Sequence, residues 1–332
     1  MPAESSPALL SVHDLAVSFQ TGSGTIPALL GVSFDICAGE IVGLLGESGC
    51  GKTTTALALM RMLPPNAQID RGAIHFNQRD LEGLAERELA KIRGAQISIV
   101  FQESVLALNP VLRIGDQVAE VLRAHPSAAG KKARKREVCE LLEMVRLREV
   151  ARIYSTYPHQ LSGGQRQRVL IAQALVCHPA LVIADEPTAS LDATVQAEII
   201  ALFAELKRAL KTSFLFITHN PAILSSLADR VFVMYAGKII ERGPAAQVLH
   251  APLHPYTRAL LACVPQAPAS RASQSPQAHP AIPGAPPDLA QLPAGCAFEP
   301  RCAERMEVCV GQKPQAFQPQ PRREVSCFKY AE

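Results

Sequence analysis

Between an apolar run, Ile41–Leu45, and a helical pattern over Thr53–Leu63 lies Gly46-Glu-Ser-Gly-Cys-Gly-Lys-Thr53. A strand, a glycine-rich turn and a helix in that order commit this part of the chain to α/β architecture, because a strand apolar on both faces needs helices to cover it. Glycines in such a turn let backbone N–H groups approach phosphate oxygens, Lys52 reaches β- and γ-phosphates, and the Thr53 hydroxyl ligates Mg²⁺. The helix that follows presents its positive dipole end to the same anion. The expected nucleotide contacts are therefore Gly46, Glu47, Ser48, Gly49, Cys50, Gly51, Lys52, Thr53 and Thr54.

Further short apolar runs extend the pattern. Strands are expected near 9–19, 31–37 and 72–77, then at Ile97–Phe101, Leu181–Ala184, Ser213–Ile217 and Val231–Met234. Apolar strands alternating with helices imply a parallel sheet covered on both faces. Ligands of such sheets bind at the C-terminal strand ends, where Gly46, Gln102, Asp185 and His219 all fall. The stretch from about 105 to 178 is too long for a simple crossover and is expected to be an inserted helical subdomain.

Composition excludes several classes. A net charge of +3 over 332 residues gives no footprint for nucleic acid. The one dense basic run, Lys131–Arg136, precedes Val138, Leu141, Leu142 and Val145, one apolar helix face, so it is expected to be a solvated helix start. No apolar stretch of about 18 residues and no charged-then-apolar leader is present, which predicts a cytosolic chain that does not span a membrane. Residues 264–287 are rich in Pro, Ala, Ser and Gln and are expected to form a linker or strap, with a small separate unit beyond it. That unit holds Cys296, Cys302, Cys309 and Cys327, spaced Cys-x₅-Cys-x₆-Cys-x₁₇-Cys. A disulfide framework does not suit a reducing compartment, so a metal is the expectation.

Leu181-Val-Ile-Ala-Asp185-Glu186-Pro-Thr188 is an apolar strand ending in two acids. Asp185 can hold Mg²⁺ through water. Glu186 can poise an attacking water as general base.

Leu161-Ser162-Gly163-Gly164-Gln165 resembles the signature of ATP-binding cassette (ABC) proteins, which closes over ATP held by a different chain. By the same resemblance Gln102 looks like the glutamine that senses γ-phosphate and metal, Asp192 like the D-loop aspartate, His219 like the switch histidine, and Phe19 like the aromatic that stacks on adenine. Asn220 departs from the aspartate common after that histidine. The resemblance implies an ABC ATPase core, a parallel sheet with an N-terminal antiparallel β subdomain, working as a head-to-tail dimer.

Phe101–Pro110, Ile114–Gln117 and Tyr157–Gln165 narrow the likeness to the oligopeptide/dipeptide importer ATPases, although Ser104 and Ala107 depart from that pattern. His254-Pro-Tyr-Thr-Arg-Ala-Leu260, Ile282-Pro-Gly284 and Gly295-Cys-Ala-Phe-Glu-Pro-Arg-Cys302 resemble the family's C-terminal extension. The expected division is an ABC domain over 1–245 and an extension over 246–332. Structural zinc sites usually include a tight Cys-x₂₋₄-Cys pair, absent here, while four thiolates suit a [4Fe–4S] cluster, which the family's extension is associated with. Iron–sulfur therefore stands first, with zinc the alternative and free structural thiols third.

Implied partners are a second, similar but distinct ATPase subunit, two transmembrane permeases and, indirectly, an external solute-binding protein, with no nucleic acid. The competing function is a soluble ABC ATPase of translation or DNA maintenance; such proteins commonly carry two cassettes or a long coiled coil, and this chain has neither. The cargo stays open among dipeptides, oligopeptides, modified peptides, glutathione and chelated metal.

Overall fold

The computed structural model describes residues 8–22, 24–102, 107–125, 130–263 and 282–331. Ser104, residues 105–106 of the expected helical subdomain and most of the expected strap, 264–281, lie outside these. In chain order the elements are β1 (Leu10–Thr21), β2 (Gly24–Ile36), β3 (Ile41–Leu45), α1 (Lys52–Leu59), β4 (Ala67–Phe76), β5 (Arg79–Asp80), α2 (Glu86–Ile92), β6 (Ile97–Val100), α3 (Ile114–Ala124), α4 (Lys131–Met144), α5 (Val150–Ser155) and α6 (Gly163–Leu175). They continue with β7 (Leu181–Asp185), α7 (Ala193–Leu210), β8 (Ser213–Thr218), α8 (Pro221–Leu227), β9 (Arg230–Tyr235), β10 (Lys238–Pro244), α9 (Ala245–His250), α10 (Pro255–Ala262), α11 (Val308–Gly311), β11 (Phe317–Gln320) and β12 (Arg323–Val325). Among the described residues no helix is long and apolar enough to cross a membrane.

The chain divides into two compact units. The first comprises residues 1–10, 35–41 and 75–217. Its sheet runs β6-β7-β8, all parallel, with Val100 opposite Ala184 and Asp185 opposite Ile217. Every residue of β7 is buried, which is why its sequence is a continuous apolar run. Ile199, Leu202, Phe203 and Leu206 recur at helical spacing and form the buried face of α7. Phe203 meets Phe214 and Phe216 edge-on, with ring centroids 5.5 and 5.2 Å away. The stretch expected to form a helical subdomain contains α3, α4, α5 and α6. Val138, Leu141 and Leu142 are the buried face of α4, and its basic first turn is solvated. A Cβ at Gly115 would fall 2.3 Å from the Tyr154 ring, so α3 approaches Tyr154 only through glycine.

The second unit comprises residues 11–34, 42–74 and 218–332. It holds most of β1, β2 and β4, the antiparallel β subdomain. Its other sheet runs β11-β12-β10-β9-β3, with β3 and β9 parallel and the rest antiparallel. The C-terminal hairpin β11–β12 thus adds to the edge of β10 and covers it. This corrects the expectation of a separate unit beyond the strap. Glu241 of β10 is fully buried and accepts hydrogen bonds from Leu253 N (2.8 Å), His254 N (2.9 Å) and Arg323 Nη2 (2.8 Å). One buried carboxylate therefore ties β10, the turn before α10, and β12 together.

Candidate functional site

In the second unit, the glycine-rich loop follows β3 and opens α1. Backbone geometry explains its glycines. A Cβ at Gly46 would sit 2.3 Å from Met234 O, and Gly51, at φ 107°, would drive one to 2.8 Å from Leu29 Cδ2. Lys52 is 7% exposed, and its ammonium donates to the carbonyls of Gly46 (2.8 Å) and Glu47 (2.9 Å). These bonds hold the charge at the loop, where it can transfer to phosphate oxygens. Cys50 is buried and desolvation pushes its thiol pKa up, so this position stays uncharged. Ser48, Gly49 and Thr53 are exposed, Thr54 is half-buried, and Phe19 on β1 is half-buried. His219, the first residue after β8, is exposed. Asn220 accepts from Ala222 N (3.0 Å) and caps α8, a role that any short N-cap side chain fills.

The first unit carries the remaining predicted residues. Gln102, exposed, follows β6 and Asp185 ends the neighbouring parallel strand β7, so the two leave the same sheet end. Asp185 is 3% and Glu186 8% exposed. Glu186 adopts φ 47°, a left-handed conformation uncommon outside glycine, fixed by its N–H donating to Ile217 O at 2.9 Å. Such strain is tolerated where a side chain must be aimed. Leu161 is buried, and Ser162 caps α6. Ser162 Oγ accepts from Gln165 N (3.2 Å), and Ser162 N donates to Gln165 Oε1 (3.0 Å), a reciprocal capping box. Gly163 is half-buried with room around it, whereas a Cβ at Gly164 would meet Val195 Cγ1 at 2.6 Å. The signature thus presents an open helix N-terminus, suited to an anion. Asp192 Oδ1 accepts from Thr194 N (3.1 Å) and Val195 N (3.0 Å), making it the N-cap of α7.

Cys296, Cys302, Cys309 and Cys327 line one cavity of about 20 Å³, beside His254, Glu299 and Glu304. None of the nine cysteines is in a disulfide. Burial pushes the Cys296 thiol up to about 11 and raises those of Cys302 and Cys327, with the other cysteines adding to each shift. Among the described residues, no group of three or more His, Cys, Asp or Glu side chains is gathered closely enough to hold a metal ion.

Two residues that motif reading placed in the C-terminal extension, with no role at the nucleotide site, touch the loop. Arg301 makes a two-pronged pair with the Glu47 carboxylate, and Tyr256 Oη accepts from Glu47 N at 2.9 Å. The physical separation expected between the nucleotide loop and the cysteine region is therefore overturned. The available signal was a single cation between Cys296 and Cys302 in an otherwise uncharged or acidic turn.

A family model described as ABC transporter matches residues 29–189, and one described as Oligopeptide/dipeptide transporter, C-terminal region matches residues 240–309. The dipeptide transport ATP-binding protein DppD of Bacillus subtilis is 46% identical over 302 residues, 91% of this chain and 88% of that protein. The chain belongs to the ATP-binding subunits of oligopeptide/dipeptide ABC transporters. The oligopeptide transport ATP-binding protein OppD of Salmonella typhimurium is 44% identical over 98% of this chain and 94% of its own length. An ATP-binding cassette solved as a dimer in a post-hydrolysis state with ADP and Pi is 28% identical, with a TM-score of 0.64 over 71% of this chain and 98% of that one. The family's activity is ATP hydrolysis coupled to transport, performed together with permease subunits.

Proposed function

We propose that this chain powers import of peptides, or of small solutes handled like peptides, from the cytoplasmic face of the cell's inner membrane. It does so paired with a second, similar ATPase subunit beneath two permeases. Lys52 and the loop N–H groups hold the triphosphate. Thr53, Gln102 and Asp185 serve the Mg²⁺, Glu186 is the general base, His219 steadies the γ-phosphate and Phe19 stacks on adenine. Ser162, Gly163, Gly164 and Gln165 face the partner's ATP, with Leu161 buried behind them and Asp192 on the communicating loop. ATP-driven closure turns the permeases outward, and hydrolysis resets them.

The observation that carries this reading is the open signature helix. Ser162 caps the helix and is exposed, and Gly163 has space for a foreign phosphate, a form suited to serving ATP from outside the chain. The similar cassette solved as a dimer supports it. The soluble alternative has no feature in its favour. Uptake of a labelled peptide into vesicles bearing the reconstituted transporter tests the reading. Lys52→Ala should abolish ATP-dependent uptake; a wild-type chain that co-purifies with ribosomes or DNA, and not with two multispanning proteins, would overturn it.

The four C-terminal cysteines are proposed to hold a [4Fe–4S] cluster. Support lies in the donor set: four thiols line one cavity. As thiolates they would supply the four ligands such a cluster takes. The cluster would then staple a region with little apolar core of its own.

A further inference from the structure

Glu47, the second residue of the nucleotide loop, is held from three directions inside one compact unit. Its N–H donates to Tyr256 Oη at 2.9 Å, and its carbonyl accepts from Lys52 Nζ at 2.9 Å. Its carboxylate receives Arg301 as a fork, Nη1 to Oε2 at 2.8 Å and Nη2 to Oε1 at 3.0 Å. The Arg301 side chain is 6% exposed and has no freedom left. Its Nε donates to Pro283 O at 2.8 Å, and its guanidinium stands 5.9 Å over the Tyr235 ring. Tyr235, Tyr256 and Phe298 form a packed aromatic cluster with centroids 4.5–5.4 Å apart.

Two physical consequences follow. A carboxylate in a loop that must receive a triphosphate opposes binding unless its charge is cancelled. A two-pronged guanidinium also fixes direction as well as charge, which a lysine does not. Arg301 belongs to a short turn, Glu299–Arg301, between Cys296 and Cys302, and that turn also holds Phe298 against Tyr256. The loop's shape is therefore set partly by residues more than 200 positions away, as with the 254-residue separation of Arg301 and Glu47.

We infer that Arg301 is a positioning residue for the nucleotide loop: by pairing with Glu47 it cancels a carboxylate beside the phosphate site and makes ATP affinity depend on the folded C-terminal extension. The inference rests on the reading that Gly46–Thr53 hold the triphosphate.

Binding of a fluorescent ATP analogue to the full-length chain, titrated for a set of variants, tests it. Arg301→Ala should weaken affinity about tenfold, within the range that coupling between two sites transmits. Arg301→Lys, which keeps the charge but loses the fork, should fall between. In a Glu47→Gln background, Arg301→Ala should bring no further loss, because Arg301 acts through Glu47. Wild-type affinity in Arg301→Ala, or the same fold-loss with and without Glu47→Gln, would overturn the inference. Should Arg301→Ala fail to fold, Arg301→Lys in the wild-type and Glu47→Gln backgrounds gives the same comparison. Lys52→Ala separates the two claims: if it binds ATP as wild type does, the loop reading itself fails, whatever Arg301 does.

Discussion

Replacing Gly163 by Asp should leave this chain intact and still stop the transporter. The structure gives the two magnitudes opposite signs. A Cβ at Gly163 meets only Leu191 Cδ2, at an ordinary 3.6 Å, so nothing must move. Removing a helical glycine saves up to about 0.5–1 kcal/mol, less whatever an aspartate's own poor helix propensity costs. An acid in the first turn of α6 gains about 0.3–1 kcal/mol from the helix dipole. Folding stability should thus be unchanged or slightly raised. Against a partner's γ-phosphate about 4 Å away, the same charge costs about 4 kcal/mol at an effective dielectric constant of about 20. That is about a thousandfold in the population able to close and react. Three readings decide it: melting of the chain, analogue binding to the isolated chain, and ATPase rate of the assembled transporter. Only the last should collapse. Gly164→Ala behaves differently, because its Cβ would lie 2.6 Å from Val195 Cγ1 and overpacking of about 1–3 kcal/mol lowers stability. If Gly163→Asp weakens binding to the isolated chain as Lys52→Ala does, or hydrolyses at the wild-type rate, the shared-site reasoning is refuted.

Three further outcomes are expected. Burial lowers the His254 pKa from 6.5 to about 3, and its Nδ1 accepts from Tyr256 N, so the folded chain holds it neutral. Its stabilisation is complete above pH 6.5 and is lost as pH falls towards 3, about 2 kcal/mol by pH 5; denaturation midpoints at pH 7 and 5 should diverge more for wild type than for His254→Asn. Arg323→Met leaves the buried Glu241 carboxylate without its cation and should cost about 3–5 kcal/mol in the same assay, with Glu241→Gln relieving part of it. Anaerobically purified chain should be brown and carry about four irons, bleaching on chelation, with any one of the four Cys→Ser changes losing the metal; one zinc and no iron would contradict the cluster.

Much of this was legible because the constraint was local. Gly46 and Gly51 are glycine for backbone reasons that a strand–turn–helix sequence already implies, and β3, β7 and β8 are buried end to end, so they read as apolar runs. Strand β10 was not read. Lys-Ile-Ile-Glu-Arg-Gly-Pro looks solvated, yet Glu241 is wholly buried because Arg323, 82 residues on, neutralises it. The hairpin β11–β12 escaped because Phe317–Gln320 is nearly all exposed and gains its identity only from pairing with β12, which in turn pairs with β10. Composition marked 264–287 as a linker or strap, most of which lies outside the described residues, but could not say where the chain docks on either side. Arg301 and Tyr256 reach Glu47 only once the fold brings them there.

The central claim is that Glu186 drives hydrolysis of ATP enclosed by two chains. Glu186 is 8% exposed with a left-handed backbone, and Glu186→Gln keeps the shape while removing the base. The most direct measurement is the nucleotide retained by the assembled Glu186→Gln transporter after incubation with Mg²⁺ and ATP and removal of free nucleotide. Unhydrolysed ATP, trapped in a closed complex that has nearly ceased to turn over, is the predicted result. ADP in the site, or hydrolysis at the wild-type rate, would contradict it.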